Sequence, residues 1–108
     1  MYFAIRHEHE LIGQIMLHDI DAPQREAMVG YHIFQLAQRG HGYGTAALTA
    51  LCSYAFDTLG LARLVAITSV DNMASRRLAT KCAFRELGAA REGPHLVLYE
   101  RTSLADTL

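Results

Sequence analysis

Short apolar segments separated by polar turns dominate the first third of the chain. Residues 2–7 and 10–20 are predicted to form two strands with a polar connection, and residues 26–34 follow as a third strand after another polar turn. Gly30 in the third strand is expected to mark a bulge or a point of close approach. Three strands with such short connections predict an antiparallel meander.

A helical pattern replaces the strand pattern in the middle of the chain. One apolar stripe recurs at three- and four-residue steps from about Tyr43 to Leu59, and Gly60 is a stop signal. The segment from Arg63 to Val70 alternates little and is rich in Val, Ile, Leu and Thr, which indicates a central buried strand. Strand, helix and strand in this order predict a right-handed parallel crossover.

The last third of the chain continues with one helix and two strands. Asp71-Asn72 ends the buried strand and can cap a helix from Met73 to Cys82. Strands are predicted from Phe84 to Arg91 and from His95 to Arg101, and the tail beyond them is expected to fray. The sum is a mixed sheet with two helices, an α+β (or α/β) domain.

Length, composition and charge narrow the class of protein. The 108 residues are 51% hydrophobic, which predicts one domain over residues 1–108. The net charge of −1 offers no basic surplus for nucleic acid. No apolar run reaches the roughly 18 residues of a membrane span, and the start has no signal-peptide pattern. Cys52 and Cys82 are too few and too widely spaced for a disulfide scaffold or a zinc pair. A reducing compartment is therefore expected, and a cytoplasmic protein is predicted.

Glycines at every second position mark the start of the first helix. Gly40, Gly42 and Gly44 leave several backbone N–H groups unshielded at the positive end of the helix, which favours a phosphate or pyrophosphate site. A dinucleotide-binding fold is an alternative, although the third glycine comes one place early for that fingerprint and a meander precedes it. A Walker loop is excluded because no lysine precedes Thr45.

Three segments together resemble the GNAT superfamily of acyl-CoA-dependent N-acetyltransferases. They are residues 29–31, 39–45 and 72–84. Arg39, Gly42 and Gly44 occupy the defining places of the family's Arg/Gln-x-x-Gly-x-Gly/Ala signature. The third segment looks most like the branch that contains ribosomal-protein N-terminal acetyltransferases. The resemblance covers about residues 2–101 and implies that the chain starts at the family's second strand, without the usual first strand and first helix pair.

The resemblance implies an acetyl-CoA site at the β–α crossover. The third strand would splay from its neighbour, and the pantetheine arm would lie along it like an added strand. Backbone groups of Ile33 and Phe34 would pair with the arm or polarise the thioester carbonyl, and N–H groups of residues 39–45 would hold the pyrophosphate. The implied cofactor-binding residues are Ile33, Phe34, Arg39, Gly40, His41, Gly42, Tyr43, Gly44, Thr45, Asn72 and Ser75.

The attacking amine must be neutral, so catalysis needs a base or a chain of waters that removes its proton. Glu26, His32 and Ser75 are the candidate catalytic residues. The favoured interpretation of Glu26 is an exposed carboxylate at the end of a strand. The favoured interpretation of His32 is a histidine on the sheet face without a catalytic role. Ala79 stands where many family members have a tyrosine near the leaving sulfur, so any acid comes from elsewhere. Ala83 replaces a usual glycine.

Other reactive side chains have structural interpretations. Tyr31, Tyr54 and Cys52 are expected in the core or at an interface. Arg76 and Arg77 either pair with the phosphates of a nucleotide or are solvated. No metal site is predicted, since His7 and His9 lack a third ligand nearby.

Three functions are consistent with these residues. The first is an N-acetyltransferase that transfers acetyl from acetyl-CoA to a primary amine, a small molecule or a peptide N-terminus, by direct attack in a ternary complex. The second is a truncated acyl-CoA-binding domain or subunit without turnover, and the third a nucleotide-binding fragment. We expect a homodimer, whose second subunit covers exposed apolar surface, and no nucleic-acid or membrane partner.

Overall fold

The computed structural model of the chain describes residues 1–33 and 42–103. Within these residues, six strands form one mixed sheet in the order β1-β2-β3-β4-β6-β5, accompanied by two α-helices. The elements are β1 (Tyr2–His7), β2 (Glu10–Asp21), β3 (Glu26–Ile33), α1 (Tyr43–Ser53), β4 (Arg63–Ser69), α2 (Met73–Lys81), β5 (Arg85–Ala90) and β6 (Gly93–Thr102). The predicted mixed sheet with two helices is confirmed.

The first three strands form the predicted antiparallel meander. Ile15 on β2 pairs with Phe3 on β1 and with Tyr31 on β3. Gly30 pairs with Met16 in regular register, and a Cβ atom at Gly30 would lie 3.3 Å from the Met16 Cγ atom. Gly30 is therefore a point of close approach. The irregularity between β2 and β3 lies instead near the turn, after His18.

The crossover from β3 through α1 to β4 is parallel, as predicted, but the pairing of its two strands is short. Residues Glu26 to Met28 pair with Arg63 to Val65, and no registered pair follows among the described residues. Each strand remains paired on its other edge, β3 with β2 and β4 with β6. The two strands therefore separate toward their carboxyl ends and leave a wedge in the sheet.

Two element boundaries differ from the sequence prediction by two residues or more. The α-helical part of the first helix ends at Ser53, and a π-helix from Tyr54 to Thr58 continues it, with the Leu59 N–H donating to the Tyr54 carbonyl at 3.1 Å. Strand β6 begins at Gly93 because Gly93 pairs with Ala90 across a two-residue turn. Apolar spacing did not indicate this change of hydrogen-bond partner, because Ala55 and Leu59 of the predicted stripe still contact the core.

The core lies between the sheet and the helices. The predicted helical stripe supplies Leu48, Leu51 and Ala55, and the strands supply fully buried residues such as Ile12 and Leu64. Cys52 is buried as predicted, and its burial raises the pKa of the thiol to about 11. Neither α-helix in the described part of the chain has the length and apolar character needed to cross a membrane.

Candidate functional site

A cleft of about 590 Å³ opens where β3 and β4 separate. Its walls are the second half of β3, the second half of β4, the first turn of α1 and one face of α2. The side of α1 contributes Gly42, Tyr43, Gly44 and Thr45, and the side of α2 contributes Asn72, Ala74, Ser75, Arg77, Leu78 and Lys81. The cleft thus lies at the carboxyl ends of two parallel strands, where open α/β sheets bind ligands.

The first turn of α1 presents backbone donors to this cleft. Gly42, with φ of 81°, is the N-cap residue; among the described residues no side chain caps the helix, and the first turn holds no acidic residue. A Cβ atom at Gly42 would meet nothing within 4 Å, so glycine is needed for the left-handed backbone rather than for space. The helix end carries positive partial charge.

One face of α2 adds positive charge to the same cleft. Arg77 and Lys81, one turn apart, both line it, and the described lining includes no carboxylate. The C-terminal end of α2 packs beside α1, where the Cys82 thiol lies 3.7 Å from the Thr45 carbonyl oxygen. Arg77 and Lys81 therefore lie on the side of α2 that leads toward the uncapped helix end. The sign of the charge suits an anionic ligand.

Arg76 does not take part in the cleft, although it precedes Arg77 in sequence. Its Nε donates to the Tyr99 hydroxyl at 3.1 Å, its Nη1 to the Val70 carbonyl at 3.0 Å and its Nη2 to Glu86 at 2.8 Å. The expectation that Arg76 pairs with phosphate or is solvated is wrong, because its guanidinium nitrogens are engaged within the protein. Arg77 alone of the pair lines the cleft.

The N-terminal end of α2 is fixed by Asn72, as predicted. The Asn72 side-chain oxygen accepts a hydrogen bond from the Ser75 N–H at 3.1 Å. This cap orients the first turn of the helix and places Ser75 at the cleft wall. Asn72 and Ser75, two of the residues that the resemblance implied for the coenzyme, are thereby brought together.

Tyr31 joins β3 to α2 across the cleft. Its hydroxyl donates to the Ser75 carbonyl at 3.0 Å and accepts from the Ser75 hydroxyl at 3.1 Å. Burial raises the pKa of Tyr31 above its ordinary value. Tyr31 packs against the core, as predicted, but its hydroxyl contacts with Ser75 were not predicted. Tyr31 lies on the same face of the strand as the buried residues Ala27 and Val29, so the sequence could have predicted an inward side chain. An inward phenol needs a hydrogen-bond partner.

The three candidate catalytic residues are not brought together. His32 and Ser75 line the cleft, whereas Glu26 lies at the opposite end of β3, about 20 Å away along the strand. There Glu26 accepts a hydrogen bond from Arg63 at 3.4 Å. The structure therefore does not place Glu26 in this cleft, and a role for Glu26 in the reaction stays a prediction.

The remaining site predictions divide in two groups. Gly42, Tyr43, Gly44 and Thr45 line the cleft, and Ile33 follows His32 at the end of β3. Four predicted coenzyme-binding residues lie outside the described residues: Phe34, Arg39, Gly40 and His41.

Three other residues that the sequence singled out do not line the cleft; they are Ala79, Ala83 and His7. Ala79 is 1% exposed, so its side chain belongs to the core. Ala83 has a φ of 67°, the left-handed conformation that a glycine adopts more easily. The His7 ring stacks on Tyr43 with centroids 4.5 Å apart. Among residues 1–33 and 42–103, no three histidine, cysteine, aspartate or glutamate side chains are grouped to hold a metal ion.

Known proteins are similar to this chain in sequence. Residues 1–85 match the model of the acetyltransferase (GNAT) domain family. Two Bacillus subtilis (strain 168) proteins are similar: YoaA, named an uncharacterized N-acetyltransferase, is 37% identical over 81% of this chain and 49% of its own length. YdaF, named as a candidate ribosomal N-acetyltransferase, is 38% identical over 83% of this chain and 49% of its own. The chain thus spans about half the length of these relatives.

A solved structure extends the agreement from sequence to fold. The crystal structure of a protein titled a probable acetyltransferase superposes with a TM-score of 0.83 at 36% identity, over 90% of this chain and 58% of that one. Because the superposition covers nine tenths of this chain, the two proteins share the fold as well as the sequence similarity. The sequence signature, the separated parallel strands and the uncapped helix end therefore agree, and the chain belongs to the GNAT acetyltransferase family.

Proposed function

We propose that this chain forms one acyl-CoA-binding domain over residues 1–108 and transfers acetyl from acetyl-CoA to a primary amine by direct attack in a ternary complex. The observation that carries the proposal is the cleft between β3 and β4, with an uncapped helix N-terminus and two cations along its walls. A coenzyme that combines a diphosphate with an extended amide-bearing arm complements both features.

The phosphates of the coenzyme are proposed to bind at the first turn of α1. The N–H groups of Gly42, Tyr43, Gly44 and Thr45 would donate to the pyrophosphate, and Lys81 and Arg77 would supply charge. Phe34, Arg39, Gly40 and His41 belong to the same proposed site by the family signature. The extended arm would pair with the inner edge of β3, which β4 leaves after Met28.

The reaction is proposed to depend mainly on positioning. Holding the amine and the thioester together supplies a large part of the acceleration, and a backbone donor near Ile33 would stabilise the developing oxyanion by about 3 kcal/mol. His32 is the proposed base, acting through water, because it lines the cleft and histidine is the most common general base in enzymes. The acceptor is proposed to be a small amine or a peptide N-terminus.

Ligand-induced stabilisation and thiol release test this proposal in two steps. Acetyl-CoA and CoA should raise the melting temperature of the protein, whereas NAD and ATP should have much smaller effects. Acetyl-CoA with a panel of amines and peptides should then release free thiol. A shift with CoA but no thiol release with any amine would favour the binding domain without turnover. A shift only with NAD or ATP would favour the nucleotide-binding fragment.

The proposed function also bears on the location and the oligomeric state of the protein. We propose a cytoplasmic protein, since acetyl-CoA is its partner and both cysteines are free and buried. We also propose a homodimer, in which a second copy covers the apolar surface beside β1.

A further inference from the structure

Arg76 holds the side of α2 that faces away from the cleft. The cleft is lined by residues 74, 77, 78 and 81, which form one stripe of the helix at three- and four-residue steps. Arg76 lies on nearly the opposite side, since each residue of a helix is turned by about 100° from the one before. Its side chain is 24% exposed and makes hydrogen bonds to β5, to β6 and to the residue that follows β4.

The guanidinium of Arg76 divides its donors among these elements. Its Nε atom donates to the Tyr99 hydroxyl on β6 at 3.1 Å, and Nη2 donates to Glu86 on β5 at 2.8 Å. The Tyr99 hydroxyl donates to the same Glu86 oxygen at 3.1 Å, and Tyr99 is 2% exposed. Because the guanidinium is a rigid planar fork, separate acceptors at its nitrogens restrict its orientation and, with it, the orientation of the helix.

The third bond connects this network to another wall of the cleft. The Val70 carbonyl, directly after β4, accepts from Nη1 of Arg76 at 3.0 Å. The Val70 N–H donates to the His95 carbonyl on β6 at 2.9 Å. Residues 66–68, just before Val70, line the cleft. Arg76 therefore ties one wall of the cleft, α2, to the end of another wall, β4.

We infer that Arg76 is a positioning residue for coenzyme binding, which holds α2 in the rotation at which Arg77 and Lys81 face the first turn of α1. The inference rests on the proposed function, in which these two cations supply charge to the pyrophosphate. Their side chains are long, so a rotation of α2 displaces their charged ends further than it displaces the backbone. Arg76 itself stays in its network and does not contact the coenzyme.

Isothermal titration with CoA tests the role of Arg76. Arg76→Gln should weaken binding about tenfold, which is the contribution expected of one charge-assisted hydrogen bond to phosphate. Arg77→Gln should also weaken binding. The double variant should bind CoA no more weakly than Arg76→Gln, because Arg77 contributes only while α2 is held in place. A purely structural role would lower the melting temperature and leave the CoA affinity of the folded protein unchanged. Losses that multiply in the double variant would overturn the inference.

Glu86→Ala sharpens the test, because charge and position predict opposite results. Glu86 does not line the cleft, and its removal takes away a negative charge, which favours a nearby anion. The same change removes the acceptor of Nη2 and loosens Arg76. The inference therefore predicts CoA binding about threefold weaker, a small effect because the ion pair is partly exposed. Unchanged or tighter binding would overturn it. Should Arg76→Gln fail to fold, Glu86→Ala decides.

Arg85→Gln is the matched control. Arg85 is likewise paired with a glutamate, Glu100, but it lies on β5 outside the cleft. The change removes the same charge as Arg76→Gln and should leave the CoA affinity unchanged. An equal loss of affinity in both variants would overturn the inference, because it would trace the effect to net charge. Equal CoA affinity in all variants and the unaltered protein would overturn the inference and leave the proposed function standing. Failure of the unaltered protein to bind CoA would overturn both.

Discussion

At the scale of single residues, Glu100 shows how one carboxylate joins three strands. Located on β6, it accepts hydrogen bonds from Arg63 on β4 at 2.7 Å and from Arg85 on β5 at 2.6 Å. Its side chain is 13% exposed. Hydrogen bonds from the two arginines hold the pKa of Glu100 below its usual range, and the bond from Arg63 has the larger effect. A carboxylate so placed contributes to stability only while it is ionised.

Glu100→Gln should therefore destabilise the protein in a pH-dependent way. We expect a loss of about 2 kcal/mol near neutral pH, because hydrogen bonds to a charged group are replaced by weaker ones. The Glu100 pKa is lowered on folding, so this contribution is complete above the ordinary glutamate pKa and disappears as pH falls through the folded-state value. Urea unfolding of both proteins across the acid range would measure it.

Glu92→Gln provides the control, because Glu92 lies exposed in the turn between β5 and β6. It should leave the free energy of unfolding nearly unchanged at every pH. A stability difference for Glu100→Gln that stays constant into the acid range would contradict the role assigned to its charge.

At the scale of elements, α1 matters through its first turn. Among the described residues, the helix has neither a side-chain cap nor an acid at its N-terminal end, and its first turn lines the cleft. A helix end without a cap makes the isolated helix less stable. The packing of Leu48, Leu51 and Cys52 in the core offsets this loss of stability. The same turn can therefore serve binding because the remainder of the helix secures the fold.

Gly42→Glu should weaken CoA binding at least tenfold, because the new carboxylate would occupy and repel the proposed phosphate site. Isothermal titration with CoA would measure the change. Gly60→Glu is a closely matched control. Gly60 also has a positive φ, of 70°, and open space at its Cβ position, but it does not line the cleft. Both variants should lose similar stability through backbone strain.

The comparison of the two glycine variants separates strain from binding. Equal CoA affinity in Gly42→Glu and Gly60→Glu, with both folded, would contradict the placement of the pyrophosphate at α1. Loss of stability alone would not produce a difference in affinity between them.

At the scale of the whole molecule, an apolar groove of about 440 Å³ lies between β1 and α1. Phe3, Ile5, Ile15 and Leu51 line it together with alanines of α1, and Tyr2 beside it is 72% exposed. Exposed apolar surface of this kind is usually covered in soluble proteins. In the part of the chain that the structure describes, strand β1 is also an edge of the sheet, and edge strands can pair with another chain.

We expect the protein to be a homodimer through this groove, with a dimer mass by light scattering at micromolar concentration. Ala50→Glu places a charge in the groove and should shift the mass toward the monomer. Ser53→Glu, at an exposed position of the same helix outside the groove, should not. A monomeric mass for the unaltered protein at all concentrations would contradict the proposed dimer.

Local patterns predicted most of the elements of this fold. Apolar patterns, turn signals and a helix cap located the six strands and two helices of the described residues, because all three are local properties of the sequence. The Asn72 cap was predicted for the same reason, since its partner Ser75 is three residues away. The π-helix after Ser53 was missed, because a change of hydrogen-bond partner leaves the apolar spacing nearly unchanged.

The sequence by itself determined the order of the elements, the glycines at the start of α1 and, through its motif, the family. Only the tertiary structure decided which of the candidate residues share a site. It brought Tyr31 to Ser75 from positions far apart in the chain, engaged Arg76 away from the cleft, and left Glu26 at the far end of its strand. The physical reason is that a site is assembled by contacts between distant segments, and these depend on how far β3 and β4 separate.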